Sequence, residues 1–199
     1  MPEWLLPPNL ITYARLVLAP MAAMAIAGGR HRDAFLLVAV AGFSDGLDGF
    51  LARQFGWRSR LGSYLDPVAD KLLLVLVFLA LAWADRLSWW VVGLFLLRDI
   101  WILGMVGYAW RVTLIRDFPP RVLGKVTTVS QIVLAVTMLV VNAFPEWAPL
   151  WMKPTAMGLA CLFTAISGWD YTVVAWRRYR AWKAGLAGGA RIDAIRDRV

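Results

Sequence analysis

The stretch FSDGLDGFLARQFGWRSRLGSYLDPVADK, Phe43–Lys71, decides how this chain is read. An uninterrupted apolar run, Ala34–Phe43, leads into it, and another, Leu72–Ala84, leads out. Extended to Ala34–Phe50 and Val68–Ala84, each run reaches the roughly 17–25 residues that a helix needs to cross a bilayer. Two consecutive crossings run antiparallel, so their polar ends lie on the same side of the membrane. Asp45 and Asp48 are spaced i, i+3 and Asp66 and Asp70 i, i+4, so each pair shares a helix face. Charge inside a spanning segment is expensive and marks function by default. Four carboxylates brought together repel strongly at low dielectric unless cations sit among them. All-oxygen ligand sets select hard ions such as Mg²⁺, Mn²⁺ or Ca²⁺, and a paired site suits phosphoryl chemistry.

The rest of the sequence agrees with a membrane setting. Of 199 residues, 60% are hydrophobic and 17% charged, against roughly 45–50% and 25% in a soluble domain. This excludes disorder and makes a soluble enzyme a poor fit, and the lone Cys161 excludes a disulfide scaffold. The predicted fold is all-α and integral to the membrane. It comprises a single domain, 1–199, of six transmembrane helices at approximately 10–27, 34–50, 68–84, 89–109, 126–144 and 155–176. The start, Pro2–Leu6, broken by Pro7 and Pro8, reads as a short interfacial segment. Of 21 Lys and Arg, 14 fall on the side that holds both termini and only four on the other, which makes the first side cytoplasmic. Ten of 12 Trp lie near span ends, as an interfacial belt, while Trp101 and Trp169 lie deep. The net charge of +8, with its basic run Arg177–Arg198, reads as contact with anionic lipid and not with nucleic acid.

Asp45, Asp48, Gly49, Ala52, Arg53, Gly62, Asp66 and Asp70 fit the pattern D-x2-D-G-x2-A-R-x8-G-x3-D-x3-D without departure. In this the chain resembles the CDP-alcohol phosphotransferases (CDP-alcohol phosphatidyltransferases). The resemblance implies transfer of a phosphatidyl group from CDP-diacylglycerol to an alcohol, with release of CMP. It implies that Asp45, Asp48, Asp66 and Asp70 hold two divalent cations, Mg²⁺ or Mn²⁺. It further implies that Gly49, Ala52, Arg53 and Gly62 line the CDP site and that Asp70 is the general base. A homodimer in a bacterial inner membrane, with its site facing the cytoplasm, is expected on the same ground.

The segments LGSYLDPVADK, LLRDIW, GKVTTVSQ and FTAISGWDY look most like the single-domain cardiolipin synthase branch, whose acceptor is phosphatidylglycerol. Phosphatidylglycerophosphate synthases, which use glycerol 3-phosphate, have similar GK and DPVADK segments. Either acceptor is anionic, so Arg15, Lys71, Arg111, Arg116, Arg121 and Lys125 are candidates for acceptor or phosphate contact. Asn9, Thr12 and Arg15, in PNLITYAR, also recur in relatives. Arg15 has two readings, facing a phosphate or snorkelling to the interface. Arg98 and Asp99, mid-span in helix four, read as a structural pair with Asp170 or a polar contact, with an acceptor-site role as the alternative, and His31 reads as solvated surface. A transporter whose acids bind ions along a pathway is the competing class. Against it, the acids cluster at one face and not at the midplane where transporter sites lie, and no repeat appears.

Overall fold

The structure, a computed structural model, describes residues 7–55, 60–112 and 122–187. Among these there are six helices and no strand: α1 (Pro7–Ala27), α2 (His31–Phe55), α3 (Arg60–Trp83), α4 (Trp89–Val112), α5 (Val122–Ala143) and α6 (Met152–Ala187). Four of them, α1, α4, α5 and α6, contain stretches long and apolar enough to cross a membrane. The charges at the α2 end and the α3 start set those two helices apart from the rest.

The helices overrun the apolar windows. Most of Leu51–Pro67, which the sequence presents as a link, is helical, because α2 continues to Phe55 and α3 begins at Arg60. Hydropathy marks where hydrocarbon ends, whereas backbone hydrogen bonding continues into the polar zone. Pro7 and Pro8 do not break a segment but form the first turn of α1, where the missing N–H groups would have no helical partner anyway. The interfacial reading of Pro2–Leu6 lies outside the described residues.

Two compact units make up the chain. The first comprises Met1–Val92 and Gln131–Met157, and α1 is its spine, packing along both α2 and α3. The buried positions of α1 are Asn9, Thr12, Arg15, Ala19, Ala22, Ala25 and Ile26, a three- and four-residue spacing that defines one face. Toward the C-terminus that face is small, so neighbouring backbones approach closely, as membrane helices do. Toward the N-terminus it is polar. The outward residues Leu36, Val40 and Phe43 of α2 are exposed apolar side chains, a surface that suits lipid better than water.

Both tight connections in this unit end a helix in the same way. Gly29 (φ 72°) donates to Ile26 O at 3.0 Å, and Arg30 to Ala25 O at 2.8 Å. Asp85 (φ 55°) donates to Ala82 O at 3.1 Å, and Arg86 to Leu81 O at 2.8 Å. These are paired closing bonds around a left-handed residue, which glycine adopts freely and aspartate tolerates. Beyond the first turn, Arg32 donates to Ala143 O at 3.3 Å, lies 5.7 Å from the Phe144 ring and pairs with Glu146 at 3.7 Å.

The second unit comprises Gly93–Ser130 and Gly158–Val199. Its outward positions Leu97, Ile100, Leu103, Leu159, Leu162 and Ile166 are apolar and exposed, while Thr127, Thr164 and Ser167 are buried. This inversion of the soluble pattern fits a lipid surround. Trp101, exposed and deep in α4, satisfies its indole N–H on Thr172 Oγ1 at 2.9 Å.

His31 is half-buried and not fully solvated as the sequence suggests. Burial, and then the nearby Arg86 cation, hold its imidazole below its ordinary pKa of 6.5. It is the chain's single histidine, so its NMR titration is unambiguous. The midpoint is expected below 6.5 and should move upward in Arg86→Gln.

Candidate active site

In the first unit, the polar half of the α1 face meets the first turns of α3. Thr12 Oγ1 donates to Asp66 Oδ1 at 2.6 Å, and Arg15 donates through a terminal guanidinium nitrogen to Asp70 Oδ1 at 2.6 Å. Both partner numbers rise together along the chain, so α1 and α3 run parallel in register here. Arg15 is 1% exposed, whereas the Asp70 side chain is 49% exposed. Arg15 therefore does not snorkel to the interface. Its guanidinium is drawn to an acid, and Asp70 is anchored on one side while reachable from the other.

Gly62, Asp66 and Asp70 follow one another at i, i+4, i+8 on α3, and Gly62 is buried. Pro67 lies among them within the helix and can donate no hydrogen bond to the carbonyl one turn back. Asp45, Asp48, Gly49, Ala52 and Arg53 lie on the C-terminal part of α2, and their side chains lie outside the described residues. Their backbone level still follows from the helix rise. Counted from the first residue of α2, His31, Asp45 and Asp48 lie about 21 and 26 Å along it, and counted from the last residue of α1, Ala27, Thr12 and Asn9 lie about 23 and 27 Å back. The acid-bearing ends of α2 and α3 thus share the depth of the polar end of α1.

Among the described residues no three carboxylate, imidazole or thiol groups gather as a metal-holding set. Asp66 and Asp70 do supply hard oxygen donors one turn apart, already oriented by their α1 partners. Such donors fit a magnesium- or manganese-type ion. Lys71 is exposed on α3, Arg111 is exposed at the end of α4, and Lys125 is exposed on α5. Arg116 and Arg121 lie outside the described residues.

The second unit holds a separate polar cluster. Arg98 donates to Asp99 Oδ1 at 2.9 Å and to Ser167 Oγ at 2.6 Å, with its guanidinium carbon 5.8 Å from the Tyr171 ring centroid. This is the structural polar contact expected of Arg98 and Asp99. Ser167 is the residue that sequence reasoning missed. Its signal was the i, i+4 spacing to Tyr171, which places both on one face of α6. Gly124 of α5 completes the cluster, because a Cβ there would lie 3.0 Å from Tyr171 Oη and 3.7 Å from an Arg98 terminal nitrogen.

Residues 5–166 match the model of the family described as CDP-alcohol phosphatidyltransferase. The chain is 35% identical over 154 residues to the chloroplastic CDP-diacylglycerol–glycerol-3-phosphate 3-phosphatidyltransferase 1 of Oryza sativa subsp. japonica, covering 69% of this chain and 47% of that protein. It is 34% identical over 178 residues to a probable phosphatidylglycerophosphate synthase of Mycobacterium tuberculosis, covering 85% of this chain and 81% of the relative. It is 33% identical over 179 residues to a cardiolipin synthase (CMP-forming) of Streptomyces coelicolor, covering 85% and 77%. The chain thus matches about half the length of the rice relative and most of the two bacterial ones. All three are named as lipid-synthesising enzymes, so the transporter reading gains no support.

Substituting Gly124→Ala should lower thermal stability by about 1–3 kcal/mol through overpacking. Tyr171→Phe in the same chain, which removes the crowded oxygen, should recover part of the loss in a thermal melt.

Proposed function

The chain belongs to the CDP-alcohol phosphatidyltransferase family, and from that premise we propose that it transfers a phosphatidyl group from CDP-diacylglycerol to phosphatidylglycerol, making cardiolipin and releasing CMP. The observation that carries the reading is the Asp66–Asp70 pair, held in parallel register by Thr12 and Arg15 at the depth where α2 carries Asp45 and Asp48.

In this proposal all six helices cross the membrane, and the acid-bearing ends of α2 and α3 face the cytoplasm, where basic residues concentrate. Asp45, Asp48, Asp66 and Asp70 hold two divalent cations, Mg²⁺ or Mn²⁺. When bound, these neutralise the diphosphate and stabilise the departing CMP. Gly49, Ala52, Arg53 and Gly62 line the CDP moiety, with glycines permitting close backbone approach and the arginine fork matching phosphate oxygens. Asp70 removes the proton from the acceptor hydroxyl. The freed oxygen attacks the lipid-linked phosphorus, the bond from that phosphorus to the CMP oxygen breaks, and CMP leaves. Lys71, Arg111, Arg116, Arg121 and Lys125 supply positive charge for an anionic acceptor. Arg15 is withdrawn from that set, since its guanidinium is engaged by Asp70. The working assembly is a homodimer, as the resemblance implies.

The resemblance of the segments around Asp66, Arg98, Lys125 and Asp170 to the cardiolipin synthase branch supports phosphatidylglycerol as acceptor, as does the name of the Streptomyces relative. The names of the rice and mycobacterial relatives favour glycerol 3-phosphate as the second reading.

Both readings are tested by mixing purified protein, CDP-diacylglycerol, Mg²⁺ or Mn²⁺ and each acceptor, then measuring CMP and lipid product. Cardiolipin and CMP are expected with phosphatidylglycerol. Product from glycerol 3-phosphate alone would reassign the acceptor, and no CMP with any alcohol would overturn the enzyme reading. Asp70→Asn should cut turnover by about 10²–10⁴-fold, the usual contribution of a general base, while nucleotide-lipid binding remains measurable.

A further inference from the structure

The two acids of α3 are held by donors of different charge. Asp66 takes a neutral hydroxyl from Thr12, and Asp70 takes a guanidinium cation from Arg15. Both α1 residues are 1% exposed, so neither donor can retreat into solvent to leave its acid open. A cation fixed 2.6 Å from Asp70 Oδ1 offsets that carboxylate's charge toward any other cation, whereas the Thr12 hydroxyl offsets nothing at Asp66. Water screens the arginine itself poorly, because it is buried on a face that continues into Ala19, Ala22 and Ala25, whereas Asp70 stays open on its other side.

We infer that Arg15 is a positioning residue that makes the two acids unequal toward divalent ions. It fixes the Asp70 carboxylate while weakening the ion bound there, so that the ion on the Asp66 side is the tighter of the two. The inference rests on the reading of Asp66 and Asp70 as ion ligands. Arg15 acts on the reaction only through Asp70. Its charge also compensates Asp70 before ions arrive, since an unpaired carboxylate in a spanning segment is costly.

The test is Mn²⁺ binding to the full chain in detergent, read by electron paramagnetic resonance of the free ion. The variants Arg15→Gln and Arg15→Lys separate charge from geometry. Gln keeps a donor and loses the charge; Lys keeps the charge and loses the fork. Arg15→Gln should tighten the weaker Mn²⁺ class by about tenfold or more, the scale of one removed like charge at short range. Arg15→Lys should stay within about threefold of the parent on the same argument. If Arg15→Gln does not accumulate, the order of the two classes is read from the acids themselves: Asp70→Asn should remove the weaker Mn²⁺ class and Asp66→Asn the tighter one, and the reverse order would overturn the inference. Two-class binding in the parent with no tightening on loss of the Arg15 charge would overturn the inference alone. Absence of Mn²⁺ binding to the parent would overturn the ion-ligand reading and the inference with it.

Discussion

The arrangement of the first unit depends on one ion pair, Arg15 with Asp70, made by an arginine with almost no exposed surface. An arginine cannot be buried at membrane depth without a counter-charge, which Asp70 supplies. Each therefore fixes the other's helix. Together with Thr12 on Asp66, the pair sets α1 and α3 parallel and in one register. A slip of either helix by one residue rotates its partner group by about 100° and leaves a charge uncompensated.

Everything else about α1 serves that register. Ala19, Ala22 and Ala25 let the spine lie close to its neighbours on both sides, and the closing turn at Gly29 returns the chain directly into α2. Depth along α2 is then measured from that turn. Because α1 and α2 are read from the same origin, the acids near the end of α2 arrive at the level of Asn9 and Thr12. The second unit is organised in a comparable way around Arg98, whose partners come from its own helix and from α6. In both units an arginine with defined acceptors ties one helix to another, Arg15 fully buried and Arg98 partly so.

Much of this was legible in the sequence. Apolar run lengths gave the six helices, and the acid spacing gave faces on α2 and α3. What hydropathy could not give was helix ends, since Leu51–Phe55 and Arg60–Pro67 are polar yet helical. Nor could it decide Arg15, because snorkelling and pairing look alike in a one-dimensional string. The partner lies 55 residues away, and only packing of α1 against α3 selects between them. Ser167 does not stand out in the string, since a serine in a spanning helix usually bonds its own backbone, and its role appears only once Arg98 is placed beside it. The family match was readable from eight positions, whereas the acceptor was not, because the relatives' names divide between two alcohols at nearly equal identity.

In the proposed function, the acids at this depth hold divalent ions against the diphosphate of CDP-diacylglycerol. The most direct measurement is ³¹P electron–nuclear double resonance on Mn²⁺ bound to the protein with that lipid present. A strong phosphorus coupling from a diphosphate oxygen on the metal is expected, lost when Asp66 is replaced by Asn. Protein-bound Mn²⁺ that shows water protons and no phosphorus coupling in the presence of the nucleotide lipid would contradict it.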